Sequence, residues 1–252
     1  MQPTNIAHIN KNYGWFLGSF ADNQLHKHYA IQLSIAIEEP IRLSLPEFNI
    51  ETDKAIFIQP NVAHQLSCKG NHLLVLINPT SSIGHFWHRY SSKQLLEIDT
   101  QLVKDLKLLV SKYLASKIKK EEFIDQLNCQ IQKYDCHCED YIHSGDERIE
   151  KAIDYLNQNS ERVVPLTEIA EHCHLSTDRF QHLFREITGQ TYRRAQLWVK
   201  LMTALLQLKT QPLTTIAHNC GFADSAHFSR TFKESFGFSP REFLKLSQFV
   251  QV

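Results

Sequence analysis

The clearest structural pattern in the sequence is Gly221-Phe-Ala-Asp-Ser-Ala-His-Phe-Ser-Arg-Thr-Phe-Lys-Glu-Ser-Phe-Gly-Phe-Ser-Pro240. Its first glycine suits a tight turn, and Asp224 is a residue type that caps the start of a helix. Phenylalanine then recurs every four residues at positions 228, 232 and 236, which is typical of one buried helix face. Gly237 and Pro240 end the pattern. The stretch therefore predicts a turn followed by an amphipathic helix.

The same arrangement occurs once more, 47 to 48 residues earlier in the chain. Leu166-Thr-Glu-Ile-Ala170 matches Leu213-Thr-Thr-Ile-Ala217, and Cys173 matches Cys220. A second set of matches has a spacing that is longer by one residue. It pairs Phe180, Phe184, Arg185, Glu186 and Gly189 with Phe228, Phe232, Lys233, Glu234 and Gly237. Two copies are too few for a solenoid. They predict a duplicated helix-turn-helix unit, in which small residues let two helices approach at roughly a right angle.

The second helix of each unit carries polar residues opposite its aromatic stripe. These are Arg179, Gln181, His182 and Arg185 in the first unit, and Ser225, His227, Ser229, Arg230 and Lys233 in the second. The chain as a whole has 27 basic and 27 acidic residues, but residues 177–252 hold ten basic and five acidic ones. Residues 146–176 hold three basic and seven acidic ones. Because phosphate contacts need a local basic cluster, this distribution favours DNA binding by the C-terminal part.

Residues 221–240 closely resemble the signature of the AraC/XylS family of transcription regulators, with only Ala226 departing, where the family usually has Ser. The resemblance covers about Glu147 to Leu246. It implies two helix-turn-helix units joined by one long helix, here about Tyr192 to Leu208. At roughly 1.5 Å per residue this connector spans about 25 Å. The two recognition helices are then expected to enter successive major grooves, about 34 Å apart.

The resemblance also implies which side chains meet DNA. It carries base-edge contacts onto Asp178, Gln181 and His182 in the first unit and onto Ser225, Ala226, His227, Ser229 and Arg230 in the second. Arginine is the commonest reader of guanine and glutamine suits adenine, so Arg230 and Gln181 are the expected readers. Arg185 and Lys233 better suit phosphate contacts, which position the protein without specifying sequence.

Three connector residues, Tyr192, Ala195 and Lys200, depart from the family pattern. Lys200 stands where the family usually has Arg. The resemblance therefore does not determine how the connector packs or whether Lys200 makes the basic contact that Arg makes in the family.

The N-terminal part predicts a small antiparallel β-barrel or jelly roll. Short β-branched stretches separated by turn residues occur between Tyr13 and Ile77, at Ile31–Ile37, Ile41–Leu45, Lys54–Ile58 and Leu73–Ile77. Three- and four-residue apolar spacing then predicts an amphipathic helix from Lys93 to Ile118, with a second from Glu121 to Tyr134. These helices are expected either to pack on the barrel or to form a dimer interface.

The expected fold class is α+β, divided into four segments. Residues 1–92 form a cupin-like sensor domain and residues 93–134 a helical dimerisation or packing segment. Residues 135–145 form a linker, and residues 146–252 form an AraC-type, all-α DNA-binding domain.

Three histidines and a glutamine in the barrel region resemble the two half-motifs of the cupin barrel. They are His26, His28, Gln32 and His64, with Gln32 in place of a carboxylate and Asn61 in place of a glycine. Three such histidines can bind a divalent metal. AraC-type sensor domains share this layout as a pocket lining without metal. The expectation is an effector pocket with no tightly held metal, no cofactor and no catalytic residue.

The cysteines do not form a disulfide scaffold, because six of them in 252 residues are too few. Cys68, Cys129, Cys173 and Cys220 are expected as buried thiols. Cys136-His137-Cys138, with Cys129 and His143 nearby, offers ligands for zinc or a redox-sensitive pair. A polar linker with incidental thiols is the simpler interpretation.

The sequence as a whole predicts a cytoplasmic transcription regulator that is not an enzyme. The expected partners are double-stranded DNA, an unidentified small-molecule effector, RNA polymerase and a second copy of the chain, with no membrane. No run of about 18 apolar residues and no secretory signal occur. The alternatives are a thiol- or metal-responsive regulator and a cupin metalloenzyme with an accessory DNA-binding domain.

Overall fold

The computed structural model describes residues 5–20, 23–91, 93–136, 145–246 and 248–249. The expected α+β class is confirmed, with an N-terminal β domain followed by a helical domain. The strands are β1 (Ile6–Ile9), β2 (Tyr13–Phe20), β3 (Ile31–Ala36), β4 (Ile41–Ser44), β5 (Asn49–Thr52), β6 (Ala55–Ile58), β7 (Gln65–Ile77), β8 (Leu95–Ile98) and β9 (Gln248–Phe249). The helices are α1 (Ser82–Tyr90), α2 (Gln101–Leu114), α3 (Lys120–Gln132), α4 (Glu147–Gln158), α5 (Leu166–His172), α6 (Thr177–Thr188), α7 (Tyr192–Gln207), α8 (Leu213–Asn219), α9 (Ser225–Phe236) and α10 (Pro240–Leu246).

The strands form one sheet in the order β8-β6-β3-β7-β2-β1-β9, and β4 with β5 joins it through β7. Pairing is antiparallel except between β1 and β9. The long β7 pairs with β4 near its start and lies between β2 and β3 near its end. Side chains from β1, β2, β4 and β6 meet in one apolar cluster, so the sheet curls around an interior.

The two faces of the sheet differ because side chains alternate along each strand. In β3, Ile31, Leu33 and Ile35 point to the outer face, where they join a cluster with α1, α2 and α3. Gln32 and Ser34 lie between them in sequence and point to the inner face, and both are buried. A buried polar pair on an otherwise apolar strand marks the inner face as the place to look for a site.

The helices after the barrel pack on its outer face. The apolar stripe of α2, including Leu102, Val103 and Leu106, is buried against the sheet together with Phe123 of α3. The prediction of a helix from Lys93 was wrong, because Leu95–Ile98 pairs with β6 as the edge strand β8. Thr100 caps α2, whose first residue is Gln101.

The helical domain repeats its elements as the sequence predicts. α5 and α8 each follow a proline, and each has a cysteine, Cys173 or Cys220, as its C-terminal cap. α6 and α9 are each twelve residues long and end at a left-handed glycine, Gly189 and Gly237. Phenylalanines of both helices, Ile169 and Ile216 share one core with α4 and α7.

The two domains are in direct contact. Ile9, Tyr29 and Ala30 of the β domain belong to the core cluster of the helical domain. The Tyr29 ring lies 6.1 Å from the Trp198 ring of α7, measured between centroids. Arg194 Nη1 of α7 donates a 2.8 Å hydrogen bond to Asn61 Oδ1. The connector between the helix-turn-helix units is therefore also the element that meets the barrel.

Candidate DNA-binding surface and interdomain histidine cluster

The turn of each helix-turn-helix unit contains one residue in the left-handed region. His174 (φ 55°) occupies this position after α5, and Gly221 (φ 63°) occupies it after α8. The second helix of each unit then begins at a capped residue. The Ser176 side chain accepts a hydrogen bond from Arg179 N, and the Asp224 side chain accepts one from His227 N. The cap at Asp224 is the one that the sequence predicts, and Ser176 is its counterpart in the first unit.

The first recognition helix, α6, presents a fully polar face. Asp178, Arg179, Gln181, His182 and Arg185 are all exposed. On the opposite side, Phe180 and Phe184 are buried. His182 Nδ1 lies 3.5 Å from Glu186 Oε2 on the same surface.

The second recognition helix, α9, is exposed over a smaller area. Arg230 is exposed, while Ser225, His227, Ser229 and Lys233 are half-buried. His227 Nδ1 accepts a 3.3 Å hydrogen bond from Ala223 N, and Ser229 Oγ donates one of 2.7 Å to Ser225 O. These two side chains therefore already take part in local bonds. Arg230 is the long, exposed side chain on this face, which fits the expected reader, although its contact with DNA stays a prediction.

Lys200 has a structural position that the sequence did not indicate. It is only 5% exposed, donates a hydrogen bond to the carbonyl oxygen of Gly221, and lies 5.0 Å from the centroid of the Phe222 ring. Burial lowers the pKa of its ammonium group. Lys200 therefore ties α7 to the turn of the second unit instead of facing solvent.

The two other unusual connector residues also pack inside. Tyr192 Oη donates a 2.8 Å hydrogen bond to Val164 O, and Gln196 Nε2 donates one of the same length to that oxygen. Ala195 is buried. The connector thus keeps a complete core without the usual family residues.

Four polar residues of the β domain converge on the inner face, as the sequence suggests. His26, His28 and His64 are 7%, 5% and 1% exposed, and their ring nitrogens lie within 4.8 Å of one another. Backbone hydrogen bonds in both directions, of 2.9 and 3.0 Å, hold His26 beside His64. Gln32 Oε1 lies 2.8 Å from His28 Nε2 and 3.2 Å from His64 Nε2. Their role as an effector pocket stays a prediction.

Burial controls the charge of this cluster. It lowers the pKa of His26 to about 4, with the neighbouring His28 as a second cause. Burial also lowers the pKa of His28, and it lowers that of His64 well below the usual value. All three imidazoles are therefore neutral near pH 7, and each offers one nitrogen lone pair.

The cluster lies at the edge of a cleft between the domains. The cleft has a volume of about 470 Å³. Tyr29 and Trp198 supply apolar wall, and Lys27, Arg194 and Glu234 supply charge. A second cavity, of about 70 Å³, is also lined by His26, His28 and Gln32, together with apolar side chains that include Phe16, Leu76 and Phe236.

Of the cysteine and histidine cluster around Cys136, only Cys129 and Cys136 lie within the described residues. Cys136 takes part in a disulfide bond, and its sulfur lies 3.0 Å from His85 Nδ1. His137, Cys138 and His143 lie outside the described residues. Cys68, Cys173 and Cys220 are free and buried as expected, whereas Cys129 is free but exposed.

Comparison with known proteins agrees with the helical domain. The family described as a helix-turn-helix domain matches residues 169–246. The chain is 34% identical over 101 residues to the arabinose operon regulatory protein of Escherichia coli strain K12, a match that covers 39% of this chain and 35% of that one. It is 36% identical over 99 residues to the transcriptional activator RhaS of Escherichia fergusonii, covering 38% and 36%. The chain therefore spans about a third of the length of these relatives.

Solved structures resemble the whole fold. An apo variant of ToxT from Vibrio cholerae has a TM-score of 0.63 at 14% identity and covers 95% of this chain and 99% of that one. Wild-type ToxT bound to an unsaturated fatty acid has a TM-score of 0.60 at 16% identity and covers 95% and 97%. At this identity the likeness concerns the fold. Together with the paired turns and caps, the family match shows that the chain carries a helix-turn-helix domain in residues 169–246.

Proposed function

We propose that the chain is a sequence-specific transcription regulator that binds double-stranded DNA through α6 and α9. The observation that carries this proposal is the duplication of one helix-turn-helix unit with an exposed polar face on each second helix. The residues proposed to read bases are Gln181 and Arg230, and Arg185 and Lys233 are proposed to contact phosphates. The ten basic residues of the segment 177–252 supply the local charge for this contact.

The β domain is proposed to receive a small-molecule effector in the interdomain cleft. A volume of about 470 Å³ is within the usual range for ligand pockets, and the wall combines aromatic and charged side chains. The fold match to ToxT, which has been solved with an unsaturated fatty acid, supports a small-molecule effector for this architecture. His26 and His28 line this cleft, and together with the adjoining Gln32 and His64 they belong to the proposed effector site.

The protein is proposed to act as a cytoplasmic, non-enzymatic homodimer that contacts RNA polymerase. The curated relatives are transcription regulators, which supports a non-catalytic role. Among the described residues, no helix is both long and apolar enough to cross a bilayer. Leu108, on the outside of α2, is 58% exposed and is the first position to test as a contact between copies.

Selection of bound sequences from a random duplex library tests the central part of this proposal. The full chain is expected to enrich a site with two conserved blocks about one helical turn apart, because each unit reads one major groove. The control is the double variant Gln181→Ala/Arg230→Ala, in which both substituted side chains are exposed, so that folding is retained. If the folded wild-type chain enriches no sequence, the proposed function is wrong.

A further inference from the structure

The hydrogen bonds of the histidine cluster show where the imidazole protons lie. His26 Nδ1 lies 2.8 Å from Gln24 O, His28 Nδ1 lies 3.0 Å from Ala30 O, and His64 Nδ1 lies 2.9 Å from Val62 O. A carbonyl oxygen can only accept, so each Nδ1 carries a hydrogen. A neutral imidazole has one such hydrogen, and the three Nε2 atoms are therefore lone-pair donors.

These lone pairs meet a further acceptor. Gln32 Nε2 donates a 2.9 Å hydrogen bond to Ser34 Oγ, which turns Gln32 Oε1 towards His28 Nε2 and His64 Nε2. Gln32 Oε1, His28 Nε2 and His64 Nε2 are thus three acceptor atoms. The glutamine oxygen lies within hydrogen-bonding distance of both nitrogens, with no proton between them. A buried group of this kind is unfavourable unless a cation or a donor lies among the atoms.

Contrary to the metal-free pocket expected from the sequence, we propose that His26, His28, His64 and Gln32 form a binding site for one divalent transition-metal ion of the zinc, cobalt or nickel type. Neutral imidazole nitrogen with one oxygen ligand is a donor set that suits these ions. Bonding of each Nδ1–H to a backbone carbonyl is the outer-shell arrangement that orients metal-bound histidine. An ion holds each nitrogen at about 2.1 Å, so small ring rotations tighten nitrogens that now lie within 4.8 Å of one another.

One competing arrangement satisfies part of the same cluster without metal. If the Gln32 amide is rotated by half a turn, its NH2 group donates to His28 and His64, and its oxygen accepts from Ser34. This arrangement leaves His26 Nε2 unused, because that atom forms no hydrogen bond among the described residues. An ion accounts for all three histidines at once.

The site also has a short hydrogen-bonded connection to the second recognition helix. His26 donates to the carbonyl of Gln24, and the Gln24 amide donates a 2.9 Å hydrogen bond to the carbonyl of Gly237, the C-terminal cap of α9. The His28 ring lies 6.2 Å from the Trp198 ring of the connector. Metal binding is therefore expected to change DNA affinity. This consequence, unlike the site itself, rests on the proposed function.

Titration of untagged, chelator-treated full-length protein with Zn²⁺ and Co²⁺ tests the site, with binding measured by calorimetry and by the visible absorption of Co²⁺. The expected result is one ion per chain. His28→Gln and His64→Gln each lower the affinity by at least about 100-fold, since each removes a direct ligand. Gln32→Glu raises the affinity about tenfold or more, because it adds a negative charge to a neutral ligand set.

The matched control is His8→Gln, which alters another buried histidine of the β domain, outside the cluster. It is expected to leave ion binding unchanged, and circular dichroism checks that each variant is folded. If the folded wild type binds no ion, or if His28→Gln binds as tightly as the wild type, the metal site is wrong. The cluster then has the arrangement in which the Gln32 amide is rotated by half a turn and its NH2 group donates to His28 and His64.

DNA affinity measured with and without Zn²⁺ tests the connection separately. A change of fivefold or more in the wild type, absent in His28→Gln, is expected for coupled sites. Ion binding without any change in DNA affinity contradicts the coupling between the metal site and α9, but it does not contradict the metal site. Ion binding by a protein that binds no DNA instead contradicts the proposed function.

Discussion

The amide of Gln24 donates a 2.9 Å hydrogen bond to the carbonyl oxygen of Gly237, which joins a loop of the β domain to the end of the second recognition helix. The approach is so close that a Cβ atom on Gly237 would lie 2.8 Å from Gln24 O and 2.9 Å from His26 Nδ1. The first recognition helix ends at the equivalent Gly189, where a Cβ atom would meet nothing within 4 Å. The two units are thus alike in backbone but differ in their contact with the β domain.

Gly237→Ala and Gly189→Ala form a matched pair that measures this contact. Both glycines are left-handed, with φ of 81° and 70°, so each substitution costs roughly 1–2 kcal/mol from the backbone alone. Gly237→Ala is expected to cost about 1–3 kcal/mol more, because the new methyl group overlaps the Gln24 loop. Urea unfolding of the full chain gives both values. Equal losses in the two variants would mean that the domains do not pack together in solution as they do here.

Lys200→Met separates a structural lysine from a DNA contact. The substitution keeps the apolar stem but removes the hydrogen bond to the Gly221 carbonyl, and we expect the free energy of unfolding to fall by about 1–3 kcal/mol. The dependence of DNA affinity on salt should not change, because the buried ammonium group does not reach phosphate. A decrease of about one unit in the salt slope would instead assign Lys200 to the DNA contact.

Protonation of the Glu168 carboxylate is expected to destabilise the helical domain at low pH. The pKa of the Glu168 carboxyl group is lowered to about 2, mainly by a hydrogen bond from Arg162 and secondly by one from Tyr155. Because the folded pKa lies below the unfolded value of about 4.3, this carboxylate stabilises the fold above that pH. The stabilisation is lost as the pH falls towards 2.

Glu168→Gln is therefore expected to flatten the decrease in urea midpoint between pH 5 and pH 2.5. Glu161→Gln, at an exposed glutamate in the preceding loop, serves as the control and should keep the wild-type slope. If the two variants show the same pH dependence, the Arg162–Glu168 pair does not contribute in solution.

The sequence predicted the helical domain well because its signals are local. A 47- to 48-residue repeat, two caps and two left-handed glycines lie within a few residues of the elements that they define. Strand β8 was mistaken for the start of a helix for the opposite reason. Four residues, Leu95–Ile98, are too short to show a period, and only pairing with the distant β6 makes them a strand. Strand β1, which lies before the first predicted strand, depends in the same way on pairing with β2.

The candidate site likewise combines features that the sequence indicates with contacts between distant residues that it does not. The resemblance to the cupin half-motifs implied that His26, His28 and His64 line one pocket, and the three side chains do lie together. The contact of Gln24 with Gly237 joins positions more than 200 residues apart and has no sequence signal. The buried role of Lys200 was also hidden, because lysine in a basic segment indicates a surface position unless its neighbours in space are known.

DNA reading by α6 and α9 is tested most directly by comparing Arg230→Ala, Gln181→Ala and Lys233→Ala on a panel of single-base operator variants at two salt concentrations. Arg230→Ala should lose roughly 1–3 kcal/mol on the cognate site and much less on random DNA, because it reads a base edge. Gln181→Ala should do the same at base pairs about one helical turn away. Lys233→Ala should weaken all sequences alike and lower the salt slope by about one unit. If Arg230→Ala instead weakens every sequence equally, Arg230 does not read a base edge. If none of the three variants changes binding, α6 and α9 are not the helices that read DNA.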